Sequence, residues 1–300
     1  LATAIAYRTA MTARRVQGDF AFDQSVLVAE AGEAIAGYAL RESRANYPQN
    51  DAPGPSPGQP WTMHYGPLPV TDGVTLEAWL EDMQGRFNLN NLVDASGVQD
   101  PKEIQAFQSL LQILGLEPQW AEKIADWIDA DSLVEPPDGA EDSTYLSQLP
   151  PYRTANRQIT SASELLALPG FGPDRYAQIE PYVTALPRGT KVNVCTAKPQ
   201  VLDAFNPTGE RNWSTMDPKS LAEQRQQNPC FPTVKEFQTF ASDPSARGSP
   251  GMTMVGTQSD YFRLTSVVSI GSAQFYLYSL LHREQNGAKA RVIQRTFTAD

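Results

Sequence analysis

Asp126-Trp-Ile-Asp129-Ala-Asp131-Ser-Leu-Val-Glu135-Pro-Pro-Asp138-Gly139-Ala-Glu141-Asp142-Ser-Thr-Tyr145 places seven carboxylates within seventeen residues, and no Lys or Arg lies between Lys123 and Arg153. Like charges this dense repel and raise one another's pKa. A folded loop of this composition needs a counter-charge, and a hard divalent cation supplies it. Asp129 and Asp131 stand at i and i+2, Gly139 allows a sharp turn, and Glu141-Asp142 can close the shell. Calcium takes six to eight oxygens from carboxylates, backbone carbonyls and water. The spacing is not that of an EF-hand. A solvated acidic face is the plainer reading, but Trp127, Ile128, Leu133 and Tyr145 punctuate the charges and argue for a packed loop.

Around this stretch, Asp100 to Leu186 reads as a helical block. Ile104, Phe107, Leu110, Leu111 and Leu114 mark one helix, closed by Gly115. Trp120 to Ile128 is a second, running into the acidic loop. Ser161-Ala-Ser-Glu164 is a capping box, and Asp174 to Val183 a further helix. The flanks read as strands. Trp61 to Tyr65 and Gly85 to Leu92 are candidates before the block, with Phe87 and Leu89 facing the core. Val192 to Cys195 follows it. At the end Phe262, Leu264, Ser266, Val268 and Ile270 alternate, Gln274 to His282 forms a second run, and Val292 to Phe297 a third, with Asn286-Gly287 as a hairpin turn. Pro199 to Phe205, Pro218 to Gln226 and Thr233 to Phe240 look helical. The pattern is α+β with an inserted helical domain.

Residues 1 to 47 hold no proline, and Leu27, Ala31, Ala34, Ile35 and Tyr38 recur at helical spacing. One helix near forty residues exceeds the usual globular length, so it is expected to leave its domain and pack on something else. Leu1 enters at full helical stride, which suggests an upstream segment holding a signal or anchor. Seven prolines in Pro48 to Pro69 mark a loop with short extended pieces.

The net charge of −10 argues against a nucleic-acid partner. Leu166-Ala-Leu-Pro-Gly-Phe-Gly-Pro-Asp174 resembles the hairpin of helix-hairpin-helix DNA-binding modules, yet Arg175 is the only basic residue between Arg157 and Arg188. A hydrolase using paired carboxylates of the acidic loop is another alternative; Trp120 and Trp127 could line its cleft, but carboxylates this crowded suit a metal better. His64 and His282 lack a nucleophile motif, and no catalytic residue is assigned. Cys195 and Cys230 form a disulfide in an oxidising compartment and remain thiols in a reducing one.

The order of motifs carries a family resemblance: a long N-terminal helix, Gly85-Arg-Phe-Asn-Leu-Asn-Asn-Leu92, Asp126-Trp-Ile-Asp-Ala-Asp131, Gly139-Ala-Glu-Asp142 with Tyr145, Ala155-Asn-Arg157, Val192-Asn-Val-Cys-Thr-Ala197, and the final hairpins. Together these resemble general secretion pathway protein K, the large minor pseudopilin family of bacterial type II secretion. The resemblance implies a pilin-like fold, a long helix packed on an antiparallel sheet (1–95 and 205–300), with an inserted α domain (96–204) that holds a metal loop at 126–145. It implies calcium on Asp129, Asp131, Glu141 and Asp142, with Glu135 as a further candidate. It implies a place at the tip of a periplasmic pseudopilus, with minor pseudopilins I and J, and H, as partners. Secreted exoproteins are a further expected contact. An upstream helix is expected to anchor the protein in the inner membrane, and the face of Leu27, Ala31, Ala34 and Tyr38 to pack on partner helices. Cys195 stands where the family motif commonly has Asn; in a periplasmic protein its pairing with Cys230 is then expected.

Overall fold

A proline-free, alanine-rich N-terminus forms a single helix, α1 (Ala2–Asn46). The computed structural model describes residues 2–53, 58–205, 213–231, 254–284 and 289–298. After α1 come β1 (Tyr65–Thr71) and β2 (Val74–Asp82), joined through Asp72-Gly73, with Gly73 at φ 73°. The chain then departs through β3 (Phe87–Asn88), α2 (Pro101–Ile113), α3 (Trp120–Ile128), α4 (Asp142–Tyr145), α5 (Gly172–Ile179), β4 (Val183–Thr184), β5 (Val192–Asn193), α6 (Pro199–Ala204), α7 (Pro218–Gln227) and β6 (Val255–Gly256). It returns for β7 (Tyr261–Ile270), β8 (Ala273–Arg283) and β9 (Ala290–Thr296). Two compact units result. One comprises residues 1–47, 57–81 and 262–299, the other 48–56 and 82–261. The second unit therefore includes 82–95 and 205–261 beside the stretch 96–204, because Phe87, Leu89 and Leu92 pack with Phe107 and because β6 pairs with β5.

In the first unit α1 lies on a five-stranded sheet of order β1-β2-β7-β8-β9. Val28 and Ala29 pack with Val74, Leu76, Val268 and Leu277, and Ala36 and Leu40 with Ala78, Leu80, Phe262 and Leu281. Each fully buried Val or Leu side chain here contributes roughly 2 kcal/mol, and each Ala methyl less than half of that. Gly32 lets the helix come close: a Cβ there would lie 2.9 Å from Ser266 Oγ. Glu33 is buried but paired. Arg295 donates to it from Nε (2.8 Å) and Nη2 (2.7 Å), and Ser279 Oγ donates at 2.7 Å. The exposed edge strand β1 carries Pro67 and Pro69, positions that cannot donate to a further strand. Trp61 to Tyr65 is not a strand: Pro60–Thr62 is a 3₁₀ turn that buries Trp61, and extension starts only at Tyr65.

In the second unit two parallel two-strand pairs, β3 with β4 and β5 with β6, brace the helices. At its centre Phe87 stacks on Phe205 and meets Phe107 at a tilt. Gly85 to Leu92 departs from the expected alternating strand. Only Phe87 and Asn88 are extended, and every side chain from Phe87 to Leu92 is buried. The asparagines replace backbone partners. Asn88 Oδ1 accepts from Leu186 N (2.9 Å) and Asn91 Oδ1 from Gly189 N (2.9 Å), while Asn90 bonds both polar groups of Ile159. Residues 159–190 are thereby pinned to the helical core. Cys195 and Cys230 form a disulfide across 35 positions. The expected helix Thr233 to Phe240 and the turn at Asn286-Gly287 lie outside the described residues.

Candidate metal centre

Asp126 sits in the last turn of α3 and Asp129 is its C-cap. Both stand at the negative end of the helix dipole, where a carboxylate is disfavoured. Both are fully buried, as is Glu141, while Asp131 is exposed. Carboxylate oxygens of Asp129, Asp131 and Glu141 all lie within 4.8 Å of one another. Burial, reinforced by Asp129 and Glu141, pushes the Asp126 carboxyl up to about 7. Burial also raises Asp129 and Glu141, with further contributions from neighbouring carboxylates.

The loop is shaped to hold this cluster. Gly139 donates to Glu135 O at 2.8 Å. A Cβ on Gly139 would lie 2.3 Å from Asp126 Oδ2 and 2.4 Å from Glu135 O, so only glycine fits. Leu133 N donates to Asp131 Oδ1 at 2.8 Å, fixing that carboxylate in an Asx turn. Asn156, at φ 46°, receives no strand or helix pairing but donates from N to Trp127 O (3.1 Å) and from Nδ2 to Asp131 O. Trp127, Tyr145 and Tyr152 pack as an aromatic floor, with the first two ring centres 5.0 Å apart.

Three of the five residues expected to ligate a metal are brought together: Asp129, Asp131 and Glu141. Asp142 points elsewhere. Its Oδ2 pairs with Arg153 Nη1 at 2.7 Å and its Oδ1 accepts from Thr154 N at 3.2 Å, so part of the loop's counter-charge comes from the chain itself. The Glu135 side chain is exposed, and its backbone N–H donates to Asp126 Oδ2 at 3.4 Å. Sequence reading passed over Gln99, which bonds two buried carboxylates 27 and 30 positions away, and Thr154, which bonds a third 13 positions away. Neither has a local signature.

Asp129 Oδ1 and Glu141 Oε1 are buried oxygens without a hydrogen-bond partner. A buried carboxylate oxygen left in this state is disfavoured by one to several kcal/mol. Oxygens around one ion at calcium's bond length lie at most about 5 Å apart. An all-carboxylate cluster of this span with orphaned buried oxygens fits a hard cation and not zinc, which favours nitrogen and sulfur.

The expected helix face is also legible. Leu27, Ala31, Ala34 and Tyr38 are all exposed, and the sheet takes Val28, Ala29, Ala36 and Leu40 instead. Of the described helices, none is long and apolar enough to cross a membrane.

Residues 85–188 match the family model described as Type II secretion system (T2SS), protein K. Type II secretion system protein K of Pseudomonas aeruginosa is 33% identical over 272 residues, spanning 88% of this chain and 78% of that protein. The protein of the same name from Pectobacterium carotovorum subsp. carotovorum is 29% identical over 307 residues, spanning 99% and 91%. A solved structure, the GspK-GspI-GspJ complex from enterotoxigenic Escherichia coli, superposes with a TM-score of 0.75 at 23% identity, covering 95% of this chain and all of that one. The fold is thus the pilin-like one, with a helical domain inserted. With a relative one third identical over most of its length and a family model seated on the acidic loop, the chain belongs to the type II secretion system protein K family of minor pseudopilins.

Proposed function

We propose that this protein is a non-enzymatic tip subunit of a periplasmic pseudopilus, assembling with minor pseudopilins I and J of its own system and stabilised by calcium. The carrying observation is the unpartnered apolar side of α1. Leu27 and Tyr38 are 68% and 57% exposed on a helix whose opposite side is packed on its own sheet. Such a face suits lateral packing against other pseudopilin helices. The related solved chain is held in a complex with GspI and GspJ, which supports these partners. Capping of the filament, contact with exoproteins and an anchor in the inner membrane belong to the same reading. The family is not a known enzyme family, and the comparisons support neither the hydrolase nor the nucleic-acid alternative.

Calcium would be held by Asp129, Asp131 and Glu141, and it would neutralise a cluster otherwise left buried and mutually repelling. The test has two arms. Leu27→Glu with Tyr38→Glu should abolish co-purification with pseudopilins I and J while leaving the melting temperature within about 2 °C, because both sites are exposed. Persistence of the complex would refute the helix face. Chelation should lower the melting temperature of the wild type by several degrees, as expected for a ligand that binds only the folded state. Elemental analysis without calcium, together with no such shift, would remove the metal.

A further inference from the structure

Two buried carboxylates of the acidic cluster share a pattern. Asp129 and Glu141 each have one oxygen tied to a neutral side-chain donor and the other left without a partner, whereas both oxygens of Asp126 are bonded. Gln99 Nε2 donates to Asp129 Oδ2 at 3.0 Å and to Asp126 Oδ1 at 2.6 Å. Thr154 Oγ1 lies 2.7 Å from Glu141 Oε2 and 3.0 Å from Asp142 Oδ1, and its single proton goes mainly to the nearer oxygen. The remaining oxygens, Asp129 Oδ1 and Glu141 Oε1, are the orphans. Both donors are held from behind. Gln99 bridges to Val93 and directly precedes Asp100, the N-cap of α2. Thr154 N is fixed on Asp142 Oδ1.

We propose that Gln99 and Thr154 are positioning residues of a divalent-cation site, each clamping one oxygen of a buried carboxylate so that its other oxygen is presented to the ion. This rests on the calcium reading above. The donor type matters. An amide and a hydroxyl orient a carboxylate without cancelling its charge, whereas a Lys or Arg in the same place would compete with the cation. Of the guanidiniums near the cluster, Arg153 is spent on Asp142, and Arg188, which acts on Asp129 only through its charge, donates from Nη2 to the Ile128 carbonyl at 3.0 Å.

The experiment compares wild type, Thr154→Val, Thr154→Ser, Gln99→Leu and Gln99→Lys. Calcium affinity is read by calorimetry and by terbium luminescence sensitised through Trp127 and Tyr145, and the melting temperature is measured with and without metal. Thr154→Val keeps the shape and loses only the hydroxyl, so calcium affinity should fall about 10–100-fold, the usual penalty for removing an outer-shell partner. Thr154→Ser should restore it. Gln99→Leu should fall similarly. Gln99→Lys should abolish binding and make the melting temperature insensitive to chelator, its ammonium standing in for the ion. If the wild type binds calcium and Thr154→Val and Gln99→Leu bind it equally well, the positioning role is overturned and the metal site stands. Equal losses of melting temperature with and without metal, at unchanged affinity, would overturn it likewise, as purely structural contacts. A wild type that binds neither calcium nor terbium overturns the metal reading itself, and this proposal with it.

Discussion

Asn90→Ala should be among the most damaging single changes in the second unit. Asn90 is 1% exposed, and its side chain completes three backbone groups from distant parts of the chain. Nδ2 donates to Ile159 O at 2.9 Å and to Leu186 O at 2.8 Å, and Oδ1 accepts from Ile159 N at 2.9 Å. Removing the amide strands one N–H and two carbonyls in a region closed to solvent. Each buried orphan is unfavourable by about 1–3 kcal/mol. Taking the low end, because a water can enter the vacated volume, the sum is about 3–5 kcal/mol. Asn90→Asp separates packing from bonding. It keeps the shape and the bond from Ile159 N but sets a carboxylate against two carbonyls, so it should destabilise at least as much at pH 7 and partly recover near pH 4, where a proton restores one donor. Urea unfolding followed by tryptophan fluorescence reads both, with the slope m checked for constancy. A loss below about 1 kcal/mol for Asn90→Ala at unchanged m would sink the account of asparagines standing in for backbone.

Three further outcomes follow from other sites. Glu103 is buried with Oε2 unpartnered, and burial, with a smaller contribution from Asp100, pushes its carboxyl up to about 8 from an ordinary 4.5. The raised value means its contribution to stability is fully present below about pH 4.5 and lost as pH climbs through 8. At about 1.4 kcal/mol per pH unit this amounts to about 5 kcal/mol at most, so Glu103→Gln should gain on the wild type in urea midpoints between pH 5 and pH 8.5, and parallel midpoints would contradict the assignment. Gly139→Ala meets two backbone atoms of Glu135 and an Asp126 oxygen inside 3 Å; the loop must open, and terbium luminescence should vanish while far-ultraviolet circular dichroism is retained. Cys195→Ala with Cys230→Ala frees a loop of 35 positions and should destabilise by about 3–4 kcal/mol in the chain-entropy model, read as a lower urea midpoint than the oxidised wild type.

The elements with local rules were legible in the sequence. Pro101 to Ile113 follows its N-cap Asp100 and its apolar spacing, and Phe262 to Ile270 follows its alternation. The acidic loop announced itself by charge density, and the pairing of Cys195 with Cys230 was expected from the periplasmic setting the resemblance implies, at a position that departs from the family motif. What escaped depends on partners far along the chain. Asn88, Asn90 and Asn91 look like polar strand positions, yet they are buried because backbone groups about 70 to 100 residues away need them. Asp142 looks like a ligand until Arg153 claims it. On α1, composition alone cannot say which stripe meets the sheet. The close approach at Gly32 and the pairing of Glu33 with Arg295 decide that, and they turn Leu27, Ala31, Ala34 and Tyr38 outward.

The sheet order has a consequence of its own. Read as β1-β2-β7-β8-β9, it is an up-and-down meander in which every strand lies beside its predecessor once the long excursion is set aside. Glu81, where the chain departs, is ion-paired at 2.7 Å with Arg263, where it returns. Residues 82–261, the longer stretch of the second unit, are therefore inserted in the chain where a hairpin turn would stand. Their attachment points are separated by the spacing of paired strands, about 5 Å, which a two-residue Asn-Gly link can also close. The junction between β2 and β7 thus behaves as a cassette slot in the first unit. Any module whose ends emerge side by side can be exchanged there without altering a strand register, and a version carrying only the turn should keep the sheet and lack the acidic cluster.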